Sequence, residues 1–426
     1  MYSIAMYLMS FGAFIGAIFS KKLRLQVKGQ AKTFYILHKY IKKNDRVVWV
    51  HAASLGEFEQ GRLLMELIRH RHPEYKILLT FFSPSGYEVR KDYEGADVIC
   101  YLPFDTPGNA ASFLRLAHPE FGILIKYEFW ANYLMMAKHW KIPMYSVSSI
   151  FRPTQYFFRW YGNKAPLRCF THFFVQNEES LQLLGNAGFN NVTVVGDTRF
   201  DRVILVRKMS ANLPLVKTFC DGKPTFIAGS SWESDEEIYI PYFAKHKDWK
   251  LIIAPHKITG HHISQICSML EGRKVVLYSE IEDNDFNHER GAFDGRDERL
   301  RDAEVLIVDF FGKLSSIYRY CDVALIGGGF ITSGIHNVPE AAVYGVPTIF
   351  GPNNKKFQEA QTLLQLGGSF EFTDSATFAQ LMDGFIADPE SMKKAGKIAS
   401  DYIYSGSGAV RKCYEGIKST LKEQSH

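Results

Sequence analysis

The chain has 426 residues, 46% of them hydrophobic and 14% aromatic, enough for two globular domains with full cores. Its net charge of +5 is smaller than the +8 of residues 21–50 alone, so the remainder is nearly neutral, which argues against a general nucleic-acid binder. Six scattered cysteines without a C-x-x-C pair indicate core thiols in a reducing compartment, with neither a disulfide framework nor a zinc site.

The first twenty residues have no charged side chain and are long enough to cross a hydrocarbon core as a helix. The next thirty contain nine lysines and arginines and one aspartate, a cluster that favours an anionic, cytoplasmic membrane face. A cleaved signal peptide is disfavoured because the charge follows the apolar run. We therefore predict a membrane anchor over residues 1–20, with spanning slightly favoured over lying flat.

Short apolar runs then alternate with helix-like stretches, which predicts parallel sheets covered by helices. The strands predicted in the first half are 46–50, 76–82, 97–102, 121–125, 144–148, 172–175 and 192–195. Turn residues between 206 and 223 predict a connection between domains. The strands predicted in the second half are 225–228, 251–254, 274–278, 305–308, 323–326 and 347–350, with a solvated acidic loop at 280–304 and a helical tail from Ser375.

Two successive doubly wound halves imply a cleft between them, and ligands of open parallel sheets gather at the carboxyl ends of strands. We predict an α/β protein with an anchor helix at 1–20, a first Rossmann-like domain at 21–205 and a second one, with the helical tail, at 206–426. The loops after the strands are where chemistry is expected.

The loop after the first strand places Glu57 in or near the first turn of a helix, where the helix dipole favours an ionised carboxylate. Such a group is a plausible proton acceptor. Ser54 followed by Glu57 also matches a capping box, which spacing alone favours. The two roles are compatible.

Three further sites in the first half each have an ordinary structural interpretation. The small residues Ser83, Ser85 and Gly86 precede a helix and suit an anion, or form a plain turn. Glu128 follows a strand among aromatic residues and needs a partner, so a structural ion pair competes with a functional role. Arg199 lies just before the domain junction and is otherwise a surface arginine.

The second half offers donors for a phosphate. His256 and Lys257 end a strand, and Phe311, Gly312 and Lys313 open a helix. The strongest signal is the stretch 327–340, in which a strand runs into three glycines, a loop and a helix beginning near Asn337 or Val338. The residues singled out there are Gly328, Gly329, Asn337, Val338, Pro339 and Glu340. Neither a G-x-G-x-x-G nor a Walker loop is present.

His256, His261 and His262 raise the question of a metal site. Acidic or cysteine partners at a suitable spacing are missing from the sequence, and exposed histidines at a helix start explain them. We predict no metal and no cofactor.

Several short motifs recur in an order that resembles one known family. They are S-L-G-E at 54–57, S-P-S-G at 83–86, Y-L-P-F-D at 101–105, E-F-W-A-N at 128–132, Q-N-E at 176–178, G-D-T-R-F-D at 196–201, G-G-G-F at 327–330 and H-N-V-P-E at 336–340. In this order the chain resembles the Kdo (3-deoxy-D-manno-octulosonic acid) transferases of lipopolysaccharide synthesis, glycosyltransferases of the two-domain GT-B fold.

The resemblance implies roles for the residues above. Glu57 would be the general base, while Glu128 and Arg199 would stabilise the transition state. His256, Lys257, the 311–313 turn and the 337–340 segment would hold the CMP part of a CMP-Kdo donor. The acceptor would be a lipid A precursor in the inner leaflet, with the catalytic body on the cytoplasmic side of the inner membrane; the sequence makes no prediction of oligomeric state.

The chain departs from the family pattern around the expected phosphate site. The usual Arg-His pair is His256-Lys257, the usual G-G-H-N reads G-I-H-N at 334–337, and the S-T-H-type stretch is S-S-W at 230–232. The positive charge for the cytidylate phosphate would therefore rest on Lys257, since histidine is only partly charged at neutral pH.

Two other functions are compatible with the same fold. One is a nucleotide-sugar epimerase or phosphorylase, which would need neither the apolar start nor a base at Glu57. The other is a non-catalytic, membrane-associated sugar-nucleotide binder.

Overall fold

The structure is a computed structural model, and it describes residues 2–210, 212–287, 292–293 and 298–421. Its contacts divide the chain into two units, one formed by Met1–Arg202 with Gly406–His426 and the other by Val203–Ser405. Each unit contains a seven-stranded parallel sheet with helices in the connections, which confirms the predicted α/β class.

The strands are β1 (Arg46–His51), β2 (Tyr75–Phe81), β3 (Val98–Tyr101), β4 (Phe121–Ile125), β5 (Met144–Ser149), β6 (His172–Val175), β7 (Val192–Val194), β8 (Thr225–Ser231), β9 (Lys250–Pro255), β10 (Val275–Leu277), β11 (Phe286–Asn287), β12 (Ala292–Phe293), β13 (Val305–Ile307), β14 (Val323–Ile326), β15 (Thr348–Phe350) and β16 (Ser369–Glu371). β11 and β12 form a separate antiparallel pair.

The helices are α1 (Tyr2–Phe19), α2 (Lys21–Tyr40), α3 (Leu55–Arg71), α4 (Pro84–Arg90), α5 (Pro107–Ala117), α6 (Ala131–His139), α7 (Glu178–Asn186), α8 (Thr198–Met209), α9 (Pro214–Cys220), α10 (Glu233–Lys245), α11 (Gly260–Met269), α12 (Tyr278–Asp285), α13 (Glu298–Asp302), α14 (Leu314–Ile317), α15 (Val338–Ala342), α16 (Gln358–Leu366), α17 (Ser375–Ala387), α18 (Pro389–Ser405) and α19 (Ala409–Ile417).

The strand orders place a topological switch point in each sheet. The first sheet runs β3-β2-β1-β4-β5-β6-β7, so the order reverses between β1 and β4. The second runs β10-β13-β9-β8-β14-β15-β16 and reverses between β8 and β14. Loops at the carboxyl ends of these four strands border the crevice in which such sheets bind ligands.

Both faces of the first sheet are buried, as expected for parallel strands. On one face the Trp49 ring lies 5.1 Å from that of Phe113 and 5.8 Å from that of Tyr133. On the other, Phe58 of α3 packs against Phe81 at 5.8 Å. These cores hold the β1 and β4 loops in place.

The basic segment was expected only to contact a membrane, and it forms the twenty-residue helix α2. Its buried residues Gln26, Gln30, Thr33 and Leu37 lie at helical spacing, and two of them donate hydrogen bonds to the end of β3. The helix was missed because this inward stripe is largely polar.

The last part of the helical tail was predicted in the second domain, and this was wrong. The segment Gly406–His426 belongs to the first unit, because α19 packs on α3 and buries Cys413, Tyr414 and Ile417. The Asp201 carboxylate accepts hydrogen bonds from the backbone N–H groups of Gly408 and Val410, which fixes the start of α19.

Three smaller predictions also change. The expected interdomain connection at 206–223 contains the end of α8 and all of α9, and β16 was missed because three residues give no usable pattern. The acidic stretch 280–304 begins in α12 and includes α13, whose Leu300 is buried, so it is not a simple loop. Its residues 288–291 and 294–297 lie outside the described residues.

Candidate active site

Glu57 lies in the first turn of α3 and caps this helix with one of its two oxygens. The Ser54 N–H and hydroxyl donate to Glu57 Oε2 at 2.9 Å and 3.2 Å, which is the predicted capping box. Oε1 makes no hydrogen bond with any residue in the described part of the chain. Capping and proton acceptance are therefore compatible at this carboxylate.

The environment of Glu57 favours its protonated form. Burial is the main cause that raises the pKa of Glu57, and the charge of Glu128 raises it further. His51, the Ser54 N–H and Lys126 act in the opposite direction without cancelling the rise. A carboxyl with a raised pKa is better matched to accepting a proton near neutral pH than an ordinary surface glutamate.

Glu128 follows β4 in a tight turn and contacts a buried histidine. His51, the last residue of β1, is fully buried, and its Nε2 lies 3.3 Å from Glu128 Oε2. The same Nε2 lies 3.1 Å from the indole nitrogen of Trp130. Glu128 therefore contacts His51, whereas a lysine or arginine was the expected partner.

The hydrogen bonds around His51 define its tautomer. The Trp130 indole N–H can only donate, so His51 Nε2 accepts and the ring proton lies on Nδ1, which donates to Thr80 Oγ1 at 2.8 Å. The Glu128 carboxylate therefore lies beside a ring nitrogen that accepts the Trp130 N–H.

Arg199 begins α8 beside a buried acid. Its Nε and one terminal nitrogen donate to Asp197 Oδ2 at 2.9 Å and 2.6 Å, and the Arg199 side chain is 24% exposed. Burial raises the pKa of Tyr127, the residue before Glu128. The charge of Arg199 lowers this pKa, and the charge of Asp197 raises it. Arg199 is therefore an oriented, ion-paired arginine on the same edge of the sheet as Glu128.

The serine-rich turn before α4 is joined to the loop that contains Glu57. The Ser83 N–H donates to the Ala53 carbonyl at 2.7 Å. A Cβ added at Gly86 would lie 2.3 Å from the Phe81 ring and 3.1 Å from the Ser54 carbonyl carbon, so glycine permits this approach. Ser85 is exposed beside Ser83, with 3.0 Å between their hydroxyl oxygens.

In the second unit, three rings from the two switch-point strands and β9 stack on one another. Trp232 and His256 are 4.5 Å apart and nearly parallel, and His336 lies 4.6 Å from His256. The Trp232 indole N–H donates to His336 Nε2 at 3.2 Å, and Lys257 Nζ is 4.7 Å from the Trp232 ring. The three departures from the family pattern thus meet in one cluster.

The histidines of this cluster are held neutral. Burial, followed by the charge of His256, lowers the pKa of His336 to about 4, and burial with the charge of Lys257 lowers the pKa of His256. The positive charge of the cluster consequently rests on Lys257, as the sequence predicted.

The turn at 311–313 has an exposed phenylalanine and a lysine held by aromatic rings. Phe311 is 76% exposed, and Gly312 has a φ of +107°, which favours glycine. Lys313 precedes the single turn α14, and its Nζ lies 4.8 Å from the Tyr278 ring and 5.0 Å from the Phe310 ring.

The glycine stretch after β14 was expected to let backbone approach a ligand. Instead, a Cβ at Gly327 would lie 2.1 Å from the Ser230 carbonyl oxygen, and one at Gly329 would lie 2.3 Å from the Gly351 nitrogen. Close packing between loops is thus sufficient to require glycine here. Gly328, with a φ of +92°, donates its N–H to the buried Asp235 at 2.9 Å.

The 337–340 segment forms the start of the short helix α15. Val338 and Pro339 are buried in the unit, so only their backbone remains available to a ligand. The Glu340 carboxylate accepts from the Asn337 amide at 2.6 Å and the Ser315 hydroxyl at 3.1 Å. Asn337 Oδ1 is buried without a hydrogen bond in the described part of the chain.

Sequence reasoning missed several residues that hold these loops. Asp235 caps α10 and binds Gly328; burial raises its pKa to about 6. His262 was taken for an exposed histidine and is buried, donating to Glu236 and to the Lys257 carbonyl at 2.8 Å and 2.9 Å. Both residues lie in the first turn of a helix that follows a strand, and this position in the sequence could have identified them.

Each unit therefore gathers its own set of predicted residues. Glu57, Glu128 and Arg199 share the carboxyl edge of the first sheet, as do Ser83, Ser85 and Gly86. The residues predicted to hold CMP-Kdo lie on the corresponding edge of the second sheet. Within the described ranges, no three His, Cys, Asp or Glu side chains converge as metal ligands would.

Comparison with known proteins agrees with these features. The family model for 3-deoxy-D-manno-octulosonic-acid transferase (kdotransferase) matches residues 28–202. The 3-deoxy-D-manno-octulosonic acid transferase of Aquifex aeolicus is 25% identical over 374 residues, which cover 85% of this chain and 93% of the relative. That of Bordetella pertussis is 24% identical over 384 residues, covering 88% and 87%.

Solved structures show the same fold. The UDP-GlcNAc 2-epimerase from Neisseria meningitidis bound to UDP-GlcNAc has a TM-score of 0.60 and 13% identity, covering 88% of this chain and all of its own. The putative UDP-N-acetylglucosamine 2-epimerase from Listeria monocytogenes has a TM-score of 0.57 and 11% identity, covering 90% and 98%. The GT-B fold expected from the sequence is thereby confirmed, and the sequence is similar to the Kdo transferase family of glycosyltransferases over most of the chain.

Proposed function

We propose that this protein transfers Kdo from CMP-Kdo to a lipid A precursor such as lipid IVA, in lipopolysaccharide core synthesis. The main support, in a chain similar to this family, is the Glu57 carboxylate, fixed by Ser54 through one oxygen and raised in pKa by burial and by Glu128. These properties suit a general base.

The reaction has a simple balance of bonds. An acceptor hydroxyl attacks the anomeric carbon of Kdo while the bond from that carbon to the phosphate oxygen breaks, and CMP leaves with the electron pair. Glu57 takes the hydroxyl proton. Because positive charge develops on the sugar as CMP departs, the nearby Glu128 carboxylate is suited to stabilise it.

The donor site is proposed on the second unit. Lys257, held above the Trp232 ring, and Lys313 supply positive charge for the phosphate of CMP. Glu340, already an acceptor from Ser315 and Asn337, is suited to the ribose hydroxyls. Arg199, oriented by Asp197, is assigned to the charge that develops in the transition state.

The apolar helix α1 is proposed to hold the enzyme at the inner membrane. It is long and apolar enough to span a bilayer, and ten of its large hydrophobic side chains are exposed. Both of its ends are nevertheless bonded to the first unit: the Tyr2 hydroxyl donates to Asp105 at 2.7 Å, and Arg24 donates to the Ala17 and Ile18 carbonyls. A helix attached at both ends lies in the interface more readily than it spans.

The basic side chains of α2 fit the anionic headgroups of the cytoplasmic leaflet. We therefore propose an anchor that lies flat, whereas the sequence slightly favoured one that spans. In single-cysteine variants, Ser3→Cys and Lys21→Cys are then labelled by an impermeant maleimide from the same side of a proteoliposome. Labelling from opposite sides would show that α1 spans.

The activity is tested with Glu57→Gln, using Glu66→Gln on the exposed side of the same helix as a matched control. We expect Glu57→Gln to lose at least about 1,000-fold in turnover, since it removes the proton acceptor, while binding of CMP-Kdo is kept. CMP release is measured with and without lipid IVA, and the lipid product is identified by mass spectrometry. Full activity of Glu57→Gln would refute the assigned base.

The same assay separates the other candidate functions. An epimerase, the class of the Neisseria enzyme with the same fold, would interconvert nucleotide sugars without transferring Kdo to an acceptor and without acceptor-dependent release of CMP. A non-catalytic binder would retain the donor without turnover.

A further inference from the structure

The connection between β5 and β6 exposes an unusual group of aromatic side chains. We call residues 152–164 the aromatic loop. Its Trp160 is 95% exposed, Tyr161 is 58% exposed and Tyr156 is 53% exposed. The Trp160 and Tyr161 ring centroids are 5.3 Å apart, and Tyr156 lies 6.1 Å from Tyr161, so the three rings form one patch.

The aromatic loop is built to present this patch. Its other two aromatic residues point inward: Phe157 lies 5.1 Å from Phe129, and Phe158 lies 5.9 Å from the fully buried Phe151. A Cβ at Gly162 would fall 1.9 Å from the Tyr156 carbonyl oxygen, so the turn requires glycine. The exposed rings therefore stand on a packed base.

The segment of the chain that contains the patch has basic residues and lacks acidic ones. No acidic residue occurs in the sequence between Glu128 and Glu178. The basic residues in that interval are Lys138, Lys141, Arg152, Arg159, Lys164 and Arg168. Arg159 and Lys164 are the two that border the exposed rings most closely in the chain, and Arg159 is itself exposed.

The aromatic loop adjoins the segment that contains Glu128. Phe129, which packs against Phe157, precedes Asn132 by three residues, and the Asn132 side-chain oxygen accepts from the Ser3 hydroxyl of α1 at 3.0 Å. The aromatic loop and the first turn of α1 thus contact the same short segment, residues 129–132.

Single exposed hydrophobic residues are ordinary, but three adjacent amphipathic rings bordered by cations are not. Tryptophan and tyrosine are the residues enriched at membrane–water interfaces, and arginine and lysine attract anionic headgroups. A protein partner of no particular charge would not account for the basic, acid-free segment that contains these rings.

We propose that the aromatic loop is a second membrane contact, which inserts Trp160 and its neighbouring tyrosines into the headgroup region of an anionic bilayer. The inference rests on the proposed membrane attachment through α1, and it does not depend on the identity of the transferred sugar. The two contacts would border the segment of Glu128, so that a lipid acceptor meets the candidate carboxylates between them.

The test uses tryptophan fluorescence of the full chain bound to vesicles of phosphatidylethanolamine and phosphatidylglycerol with brominated acyl chains. Residues 1–20 contain no tryptophan, so insertion of α1 alone does not place an indole in the lipid. We expect bromolipid quenching in the unmodified protein and its loss in Trp160→Phe. Trp140→Phe is the matched control, because Trp140 is 39% exposed and ends α6 at the opposite edge of the sheet.

Vesicle affinity gives a second measurement. Arg159→Gln combined with Lys164→Gln is expected to bind anionic vesicles about 30-fold more weakly, from about five-fold for each basic residue near the surface. Lys393→Gln with Lys394→Gln, two exposed lysines of the second unit, is expected to bind like the unmodified protein.

The outcomes separate this inference from the proposed function. Quenching that persists in Trp160→Phe, with vesicle binding intact, overturns the aromatic loop as a membrane contact and leaves attachment through α1. A protein that does not bind vesicles overturns both membrane contacts, while CMP release onto a detergent-dispersed acceptor still tests the transfer activity. Self-association that Trp160→Ala abolishes, without lipid quenching, identifies a second copy of the chain as the occupant and also overturns the proposal.

Discussion

The loops at the two switch points differ in charge, although they follow the same kind of parallel sheet. In the first unit Glu57 lies in the helix after β1 and Glu128 in the loop after β4, where it contacts the buried His51. In the second unit the loops after β8 and β14 hold Trp232 and His336, with Lys257 after β9.

Burial acts on both sets of side chains and gives opposite results. It raises the pKa of Glu57 and lowers the pKa of His336 to about 4, because each group loses solvation of its charged form. The first unit therefore offers a carboxylate with a raised pKa, and the second offers neutral histidine rings beside Lys257. Under the proposed function, the first unit would take up the proton and the second would hold the anion.

The largest effect on this difference between the two units is expected from Glu128→Gln. Removal of the neighbouring charge lowers the pKa of Glu57, so the acidic limb of the kcat/KM profile, which reports ionisation of the base, moves to lower pH. Turnover also falls by about 100- to 1,000-fold if Glu128 stabilises the transition state. Glu120→Gln, at the opposite end of β4, serves as the control. If the acidic limb of the kcat/KM profile does not move in Glu128→Gln, the charge of Glu128 does not raise the pKa of Glu57.

Asp235, a buried acid of the second unit, provides the next test because it lies beside the neutral rings. The pKa of Asp235 is raised to about 6, chiefly by burial, so its contribution to the free energy of unfolding is complete below about pH 4 and is lost as pH rises through 6. Asp235→Asn keeps an acceptor for the Trp232 and Gly328 N–H groups and should remove this change, about 3 kcal/mol, from urea titrations across that range.

Asp235→Ala is the comparison for that measurement. It also removes the titration, but it leaves two buried N–H groups without an acceptor and should lower stability by about 2–4 kcal/mol at every pH. Equal stability curves for the asparagine and alanine variants would show that Asp235 does not hold the glycine loop.

A smaller effect is expected where the end of the chain joins the first unit. Asp201→Ala removes the acceptor for the Gly408 and Val410 N–H groups and should destabilise α19 by about 1–2 kcal/mol. Faster hydrogen exchange confined to α19 is the measurement. Asp401→Ala, exposed on α18, is the control and should leave exchange in α19 unchanged.

The smallest effect concerns the ring cluster. Trp232→Phe removes the N–H that donates to the neutral form of His336, so the pKa of His336 should rise toward its ordinary value, by the equivalent of about 1 kcal/mol. An NMR titration of the histidine ring protons measures it. Trp249→Phe, a buried tryptophan elsewhere in the unit, should leave the titration unchanged.

The sequence predicted the strands of both sheets closely because apolar runs between turn residues are a local signal. It placed β4, β6 and β14 at their observed bounds and found the loops that contain Glu57, Glu128 and Lys257. It missed α2, whose buried stripe includes Gln26 and Gln30, since polar residues facing inward hide the helical period.

The residues that support the candidate site were not predictable in the same way. His51 contacts the site only because β1 pairs with β4 and Trp130 lies against its ring. Asp235 contacts it only because Gly328 of the loop after β14 approaches α10. These contacts join residues 79 and 93 positions apart in the chain, and a pattern read along one sequence contains no distance between them.

The attachment of α1 at its first residues has a geometric consequence for substrate choice. Tyr2 binds Asp105, and the same carboxylate accepts the N–H groups of Asn132 and Tyr133, a few residues beyond Glu128. If α1 rests on lipid as proposed, this short series of bonds sets a constant stand-off between the bilayer and the reacting carboxylates. The enzyme would then accept only those hydroxyl groups that project from the membrane by that distance.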